Sequence, residues 1–238
     1  MRFLIDLGLL AVIVLCTWSG YKKGLIGSIA GILAIVVALL GGSLLSSTYA
    51  HELVPALEPF VNGYVDSSET REQVLENMGF GESDWSLGDI LAYDPSLRYD
   101  YAYHSIRSVG FYQDRAEELA VKAVDFSQQT GADMTTSVVS VLCDTICYVG
   151  GLTLAFLMIL IILIAFANMG NLSFRLPNME NLDEIGGSVL GFIKGFIYCV
   201  LFCWILSFFG IFIGKDTLAH TTLARFFLAF KFMTGGLL

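Results

Sequence analysis

The chain has 238 residues, 55 % of them hydrophobic and only 15 % charged, with four prolines and a mean hydropathy of +0.70. Soluble domains carry about 25 % charged residues, so this balance excludes an ordinary water-soluble protein and points to one dissolved in lipid. The net charge of −9, with no basic stripe to neutralise phosphates, excludes nucleic acid as a partner.

Residues 7–18 form the first apolar block, with Asp6 near its start. A crossing helix needs about 20 apolar residues and tolerates about 17, so this block is expected to span. A cleaved signal is not expected, because Arg2 is the single n-region charge, Asp6 is out of place and no A-x-A site follows. Bulky Leu15 in front of Cys16 also argues against a lipoprotein site. Residues 25–45 are a second block without charge. Between the two lies "GYKKGLIGSIAG", residues 20–31. Lys22 and Lys23 therefore fall in a tight turn at the membrane surface, and short basic loops favour the cytoplasmic side. This predicts a hairpin of helices 1 and 2 over 1–47, with the N- and C-termini and residues 48–147 extracytoplasmic. Arg175 joins the inside count, whereas Arg2, Lys215, Arg225 and Lys231 fall outside. Gly20, Gly24, Gly27 and Gly31 follow an i, i+4, i+7, i+11 pattern. If helix 2 extends back through the turn, they share one face on which another backbone can approach closely.

The segment that follows is acidic: residues 46–147 hold seventeen acidic and five basic side chains, a net −12. Residues 49–65 read as a helix broken around Pro55 and Pro59. Residues 67–80 read as a short helix, with Ser67 and Ser68 as caps, acids in the first turn and Gly79 at the stop. Residues 111–130 place Ala116, Leu119, Ala120, Ala123 and Val124 at helical spacing. Between them lie turn formers with Trp85, Tyr93, Tyr99, Tyr101 and Tyr103. These aromatics suit the core of a small helical cap and its contact with headgroups better than a ligand stack, and the nearby acids lack a Ca²⁺-loop pattern.

Residues 148–167 and 189–213 are the third and fourth apolar blocks, and Lys194 is the single charge within them. They predict a second hairpin over 148–214. "GGSVLGFIKGF" repeats the glycine device, with Gly187, Gly191 and Gly195 at four-residue steps. Charges inside spanning helices are costly and often functional. Asp6 and Lys194 fall at opposite surfaces of this topology and are not expected to pair. Asp183 or Glu184 is the expected counter-ion of Lys22 or Lys23. The segment 215–238 sets Ala219, Leu223, Phe226, Phe230 and Met233 on one face of an amphipathic helix. Cys143 and Cys147, like Cys199 and Cys203, stand at i, i+4 rather than Cys-x-x-Cys, which suits packing. His51, His104 and His220 form no zinc-protease spacing. No cofactor, metal or catalysis is expected.

An acid early in helix 1, then "GYKKGLI" and a glycine-bearing helix 2, resembles the N-terminal signature of the colicin V production protein (CvpA) family, with Asp6, Gly20, Lys23 and Gly24 in its places. "NLDEIGGSVLGFIKGF", residues 181–196, resembles the family's second signature, through Asp183, Gly187, Gly191, Lys194 and Gly195. The resemblance covers about residues 1–47 and 148–230. It does not extend to the long segment between them, since family members join these helices by a short one. The resemblance implies a bacterial inner-membrane protein linked to toxin production or export, without an established reaction.

The expected fold is thus an all-α membrane protein: four transmembrane helices, an inserted extracytoplasmic helical segment and a C-terminal amphipathic helix. The expected role is support of toxin export or envelope function, with the lipid bilayer, a homo-oligomer and an extracytoplasmic protein as partners. Alternatives are an oligomeric small channel or transporter component, resting on the glycine stripes and Lys194, and a sensor or scaffold that binds through the acidic insert.

Overall fold

The computed structural model describes residues 2–81, 86–169, 180–208 and 221–230. Trp85, Arg175, Lys215, Ala219, His220, Lys231 and Met233 lie outside them. The described residues form eight helices and no strand: α1 Arg2–Val65, α2 Ser68–Asn77, α3 Leu87–Tyr93, α4 Leu97–Ser108, α5 Gln113–Thr130, α6 Met134–Met169, α7 Glu180–Leu206 and α8 Thr222–Leu228.

Three of them, α1, α6 and α7, are long and apolar enough to cross a membrane. Their most apolar stretches are only 22 %, 22 % and 39 % buried within the protein. Leu40, Leu44, Leu154 and Ile161 are each more than 60 % exposed. Apolar surface on that scale is not stable in water, so these helices fit a membrane protein. The expected four separate blocks appear as three helices because α1 runs on by hydrogen bonding through the first two. It is nevertheless not straight. Gly24 inside it has φ +73° and ψ −177°, a non-helical conformation. The Ser28 hydroxyl lies 3.4 Å from the Gly20 carbonyl oxygen. Eight residues of straight helix would advance about 12 Å, so the chain turns back on itself at Gly24.

The chain divides into two compact units. The first comprises Met1–Thr48, Gly150–Leu206 and α8. Here α7 is flanked on one side by residues 13–24 of α1, running antiparallel to it, and on another by residues 25–39, running parallel. Ile35 and Ala38 pack with Phe156, Leu160 and Leu201 to form a core from α1, α6 and α7. Gly42 lies against the backbone of Phe156, and Gly151 against Ser46, so α6 runs antiparallel to this part of α1. Phe196 of α7 holds α8 through edge-on contacts with Phe226, Phe227 and Phe230.

The second unit comprises Tyr49–Val149 with Ser207 and Phe208. Its core joins Val65, Val74, Ile90, Ile106, Phe111, Leu119, Val138 and Leu142, all at most 2 % exposed. The helix expected at 67–80 is α2. Ser67 caps it by accepting from the Thr70 N–H, and Gly79 ends it at φ +87°. The helix expected at 111–130 is α5, closed by Gly131 at φ +69°. The expected break at Pro55 and Pro59 does not occur, and α1 continues through both to Val65. Both prolines are solvent-facing, as are His51 and Pro55 four residues before them. The carbonyls that lose a helix donor therefore remain open to solvent. The stretch expected to be turns holds α3 and α4, and α3 is started by Ser86, which accepts from the Asp89 N–H. Of the tyrosines, Tyr101 enters the core, whereas Tyr93 is 80 % exposed and Tyr99 stacks on Tyr103 at 6.3 Å.

Burial lowers the proton affinity of His104, against the pull of Asp100 and with a smaller contribution from Arg107. The fold therefore favours neutral imidazole, while the unfolded chain takes up its proton near the ordinary value of about 6.5. Stability contributed here is complete above that value and declines as pH falls below it, levelling once the folded-state value is passed. Chemical denaturation of the protein in detergent between pH 7.5 and 5 should show a falling midpoint, and His104→Gln should flatten that slope.

Candidate functional site: the glycine seam of α1 and α7

Of the twelve residues that the signatures and the glycine spacing single out, Gly20, Gly24, Asp183, Gly187, Gly191 and Gly195 fall on one seam, and the α1 glycines do not form a single stripe. The four-residue steps of Gly187, Gly191 and Gly195 do place them on one face of α7, and each meets α1 backbone. A Cβ on Gly187 would strike the Gly20 carbonyl oxygen and stand 2.9 Å from Gly24 Cα. One on Gly191 would lie 2.5 Å from the Cys16 carbonyl oxygen and 3.0 Å from Gly20 Cα. One on Gly195 would lie 3.0 Å from Ile13 Cα. From the other side, a Cβ on Gly20 would strike the Gly187 carbonyl oxygen and reach 2.7 Å from Gly191 Cα. Two helices at this approach touch backbone to backbone.

The α1 glycines differ from the expected single face because Gly24 breaks the helical phase. Its positive φ favours glycine, and a Cβ there would strike the Asp183 carboxylate. Beyond the break, Gly27 meets only the side chain of its own neighbour Lys23. Gly31 meets α7 at a different place, where its Cβ would come 2.9 Å from Lys194 Nζ. The two arms of α1 thus hold α7 at two positions around its circumference.

Asp183 has a role that composition does not reveal. It is 3 % exposed, and its Oδ1 accepts a 2.8 Å hydrogen bond from the Leu25 N–H. Leu25 begins the second arm of α1, so its N–H lacks a helical acceptor. A carboxylate at a helix start satisfies that donor and complements the helix dipole. The expected pairing of Asp183 or Glu184 with Lys22 or Lys23 is therefore corrected. Among the described residues neither lysine has an ion-pair partner, and Lys22 Nζ instead sits 4.7 Å over the Trp18 ring. The carboxylate is buried on the Leu25 N–H, whereas both lysines are exposed.

Ser28 was not singled out by spacing, yet it closes the seam. It is 3 % exposed, and its hydroxyl reaches the Gly187 carbonyl at 3.2 Å as well as that of Gly20. Its signal in sequence is a hydroxyl four residues after Gly24 in an otherwise apolar run. Asp6 stands apart from the seam. Its Oδ1 accepts at 3.0 Å from the N–H of Leu223 in the first turn of α8. The residue before α8, Thr221, makes no side-chain cap, so Asp6 supplies one from the other end of the chain. Asp6 and Lys194 do not meet. Lys194 is half-buried, with Nζ 5.7 Å from the centre of the Tyr198 ring. Four of the five cysteines are buried and all are free thiols, with Cys199 Sγ 3.5 Å from the Leu9 carbonyl oxygen. Among the described residues no cluster of His, Cys, Asp and Glu could hold a metal ion.

Comparison with protein-family models, with curated proteins and with solved structures gives no match.

The seam separates essential glycines from incidental ones. Gly191→Ala forces the α1 and α7 backbones apart and should destabilise the protein by about 1–3 kcal/mol. Gly8→Ala, with nothing within 4 Å of the added carbon, should be neutral or stabilising by up to about 1 kcal/mol. Thermal unfolding in one detergent, followed by circular dichroism, compares the two.

Proposed function

We propose that this chain is a multi-pass inner-membrane protein of the colicin V production type, which supports toxin production or export, or envelope function, without catalysing a reaction. The observation that carries this reading is a coincidence of residues. Five of the positions that resemble the family's two signatures (Gly20 and Gly24 on one side, Asp183, Gly187 and Gly191 on the other) are in mutual contact at the seam. Signatures far apart in sequence, yet complementary in space, are what a shared packing device would leave.

In this reading α1 counts as two spans because it turns back at Gly24, and with α6 and α7 it gives four transmembrane helices. Lys22 and Lys23 mark the cytoplasmic end, by the preference of short basic loops for that side. Residues 48–147 then lie outside the cytoplasm as an acidic helical domain that presents itself to an envelope protein.

A second reading, a channel or transporter component that works as an oligomer, draws on Lys194. A lysine half-buried within a 26-residue apolar helix is costly in a membrane unless it serves a pathway or reaches an interface.

Single cysteines placed at exposed positions of α5, such as Val121, in a background without the native thiols should react in intact cells with a membrane-impermeant maleimide. Protection of that position until the cells are lysed would reverse the orientation. Deletion of the gene should impair toxin export or raise envelope stress, and an unchanged envelope would remove the function. Flux through proteoliposomes that is lost in Lys194→Ala would favour the second reading.

A further inference from the structure

The acidic unit contains a groove of about 580 Å³ that the proposed membrane role does not use. It lies among α2, α3, α4 and the start of α6, within the size range of small-ligand sites, about 300–1,000 Å³. Its apolar wall includes Leu75, Leu87, Leu91 and Met134, and its charged groups are Arg71, Arg98 and Asp133.

These charges are not equivalent. Among the described residues this unit has five arginines and lysines, and four of them are engaged: Arg71 with Asp66 at 3.2 Å, Arg115 and Lys122 with Glu118, and Arg107 with the Phe111 carbonyl. Arg98 alone has no carboxylate or carbonyl partner for its guanidinium among the described residues, although it is partly buried and seventeen acidic side chains lie in residues 46–147. An arginine left open in such surroundings, at the lip of a groove, is available to an anionic group from outside. Asp133, also in the lining, keeps Oδ2 on the Thr135 N–H at 3.2 Å, and its other carboxylate oxygen has no partner among the described residues. The Tyr101 hydroxyl and Thr135 Oγ1, 3.0 Å apart, belong to residues that also line it.

A simple anion would enter against the field of a unit at net −12, and a simple cation would meet the open guanidinium. A ligand that carries both charges incurs neither penalty. We propose that the groove binds a small zwitterion with an apolar side chain, the chemistry of a free α-amino acid, with its carboxylate on Arg98, its ammonium on Asp133 and its side chain against Leu75, Leu91 and Met134. The site lies wholly within the acidic unit, so it stands or falls independently of the orientation and family resemblance above.

The test is calorimetry and thermal shift on the full chain in detergent. The probes are L-leucine and L-phenylalanine, with N-acetyl-L-phenylalanine (no ammonium) and L-phenylalaninamide (no carboxylate) as paired controls. The free amino acids should bind and raise the melting temperature, and each blocked analogue should bind about tenfold more weakly. Arg98→Gln should weaken binding by about tenfold or more, and Arg98→Lys should recover part of it. Asp133→Asn keeps an acceptor for the Thr135 N–H, so it should weaken ligand binding while leaving the unliganded melting temperature in place. Absence of binding by both amino acids overturns the proposal. So does equal binding of the acetylated probe, which would mark a plain anion site, or unchanged affinity in Arg98→Gln or Asp133→Asn. An unliganded Arg98→Gln protein with wild-type helicity by circular dichroism ensures that lost binding reports on the groove and not on the fold.

Discussion

Backbone-to-backbone contact between α1 and α7 is the constraint from which the rest of the first unit follows. In lipid, apolar side chains gain little by leaving the solvent, so helices associate through close dispersion contact and through polar groups that have nowhere else to go. Gly20, Gly187 and Gly191 provide the first: any side chain there would occupy the space of the opposite backbone. Asp183 and Ser28 provide the second, binding the Leu25 N–H and the Gly187 carbonyl. Both polar groups stand at the turn that Gly24 creates, where helix ends expose unsatisfied backbone. The reversal, the seam and the two buried polar residues are therefore one construction. Without the left-handed residue there would be no second arm to hold α7, and without Asp183 the start of that arm would be left with an open donor in an apolar setting.

How much of this was legible depended on whether the deciding force was local. Gly187, Gly191 and Gly195 lie on one uninterrupted helix, so four-residue spacing translated directly into a shared face. The α1 glycines obeyed the same arithmetic and still separated, because a positive φ at Gly24 resets the helical phase and no periodicity reports a dihedral angle. The caps of α2 were readable from Ser67 and Gly79, since capping is chemistry within a few residues. The helices α3 and α4 were missed because Asp94 and Pro95 between them signal a turn, and the short helices on either side owe their formation to buried Ile90, Tyr101 and Ile106. Pro55 and Pro59 signal breaks by the same local logic, and their exposure removes the cost. The partners of Asp183 and Asp6 lie 158 and 217 residues away, beyond any window of sequence pattern.

The two units show two solutions to the same need for buried polar satisfaction. In the membrane-type unit, charge is sparse, and Asp183 and Ser28 at the seam are tied to backbone. In the acidic unit, carboxylates are abundant and mostly solvated, and the described cations other than Arg98 are claimed by nearby groups. Such short pairs contribute little to stability at exposed sites. The second unit therefore depends on its apolar core, led by Phe111, Ile106 and Leu119, and its surface charge is free to serve recognition rather than folding.

The cap that Asp6 places on Leu223 has a consequence for biosynthesis. Residue 223 is made 217 positions after residue 6. Through most of translation this carboxylate has no N–H to accept from, and the bundle keeps an open acceptor at that end. Arrival of α8 closes it, and Phe226, Phe227 and Phe230 then settle around Phe196. The cap thus joins segments made far apart in time, and a chain truncated before α8 would leave the Asp6 carboxylate without this donor.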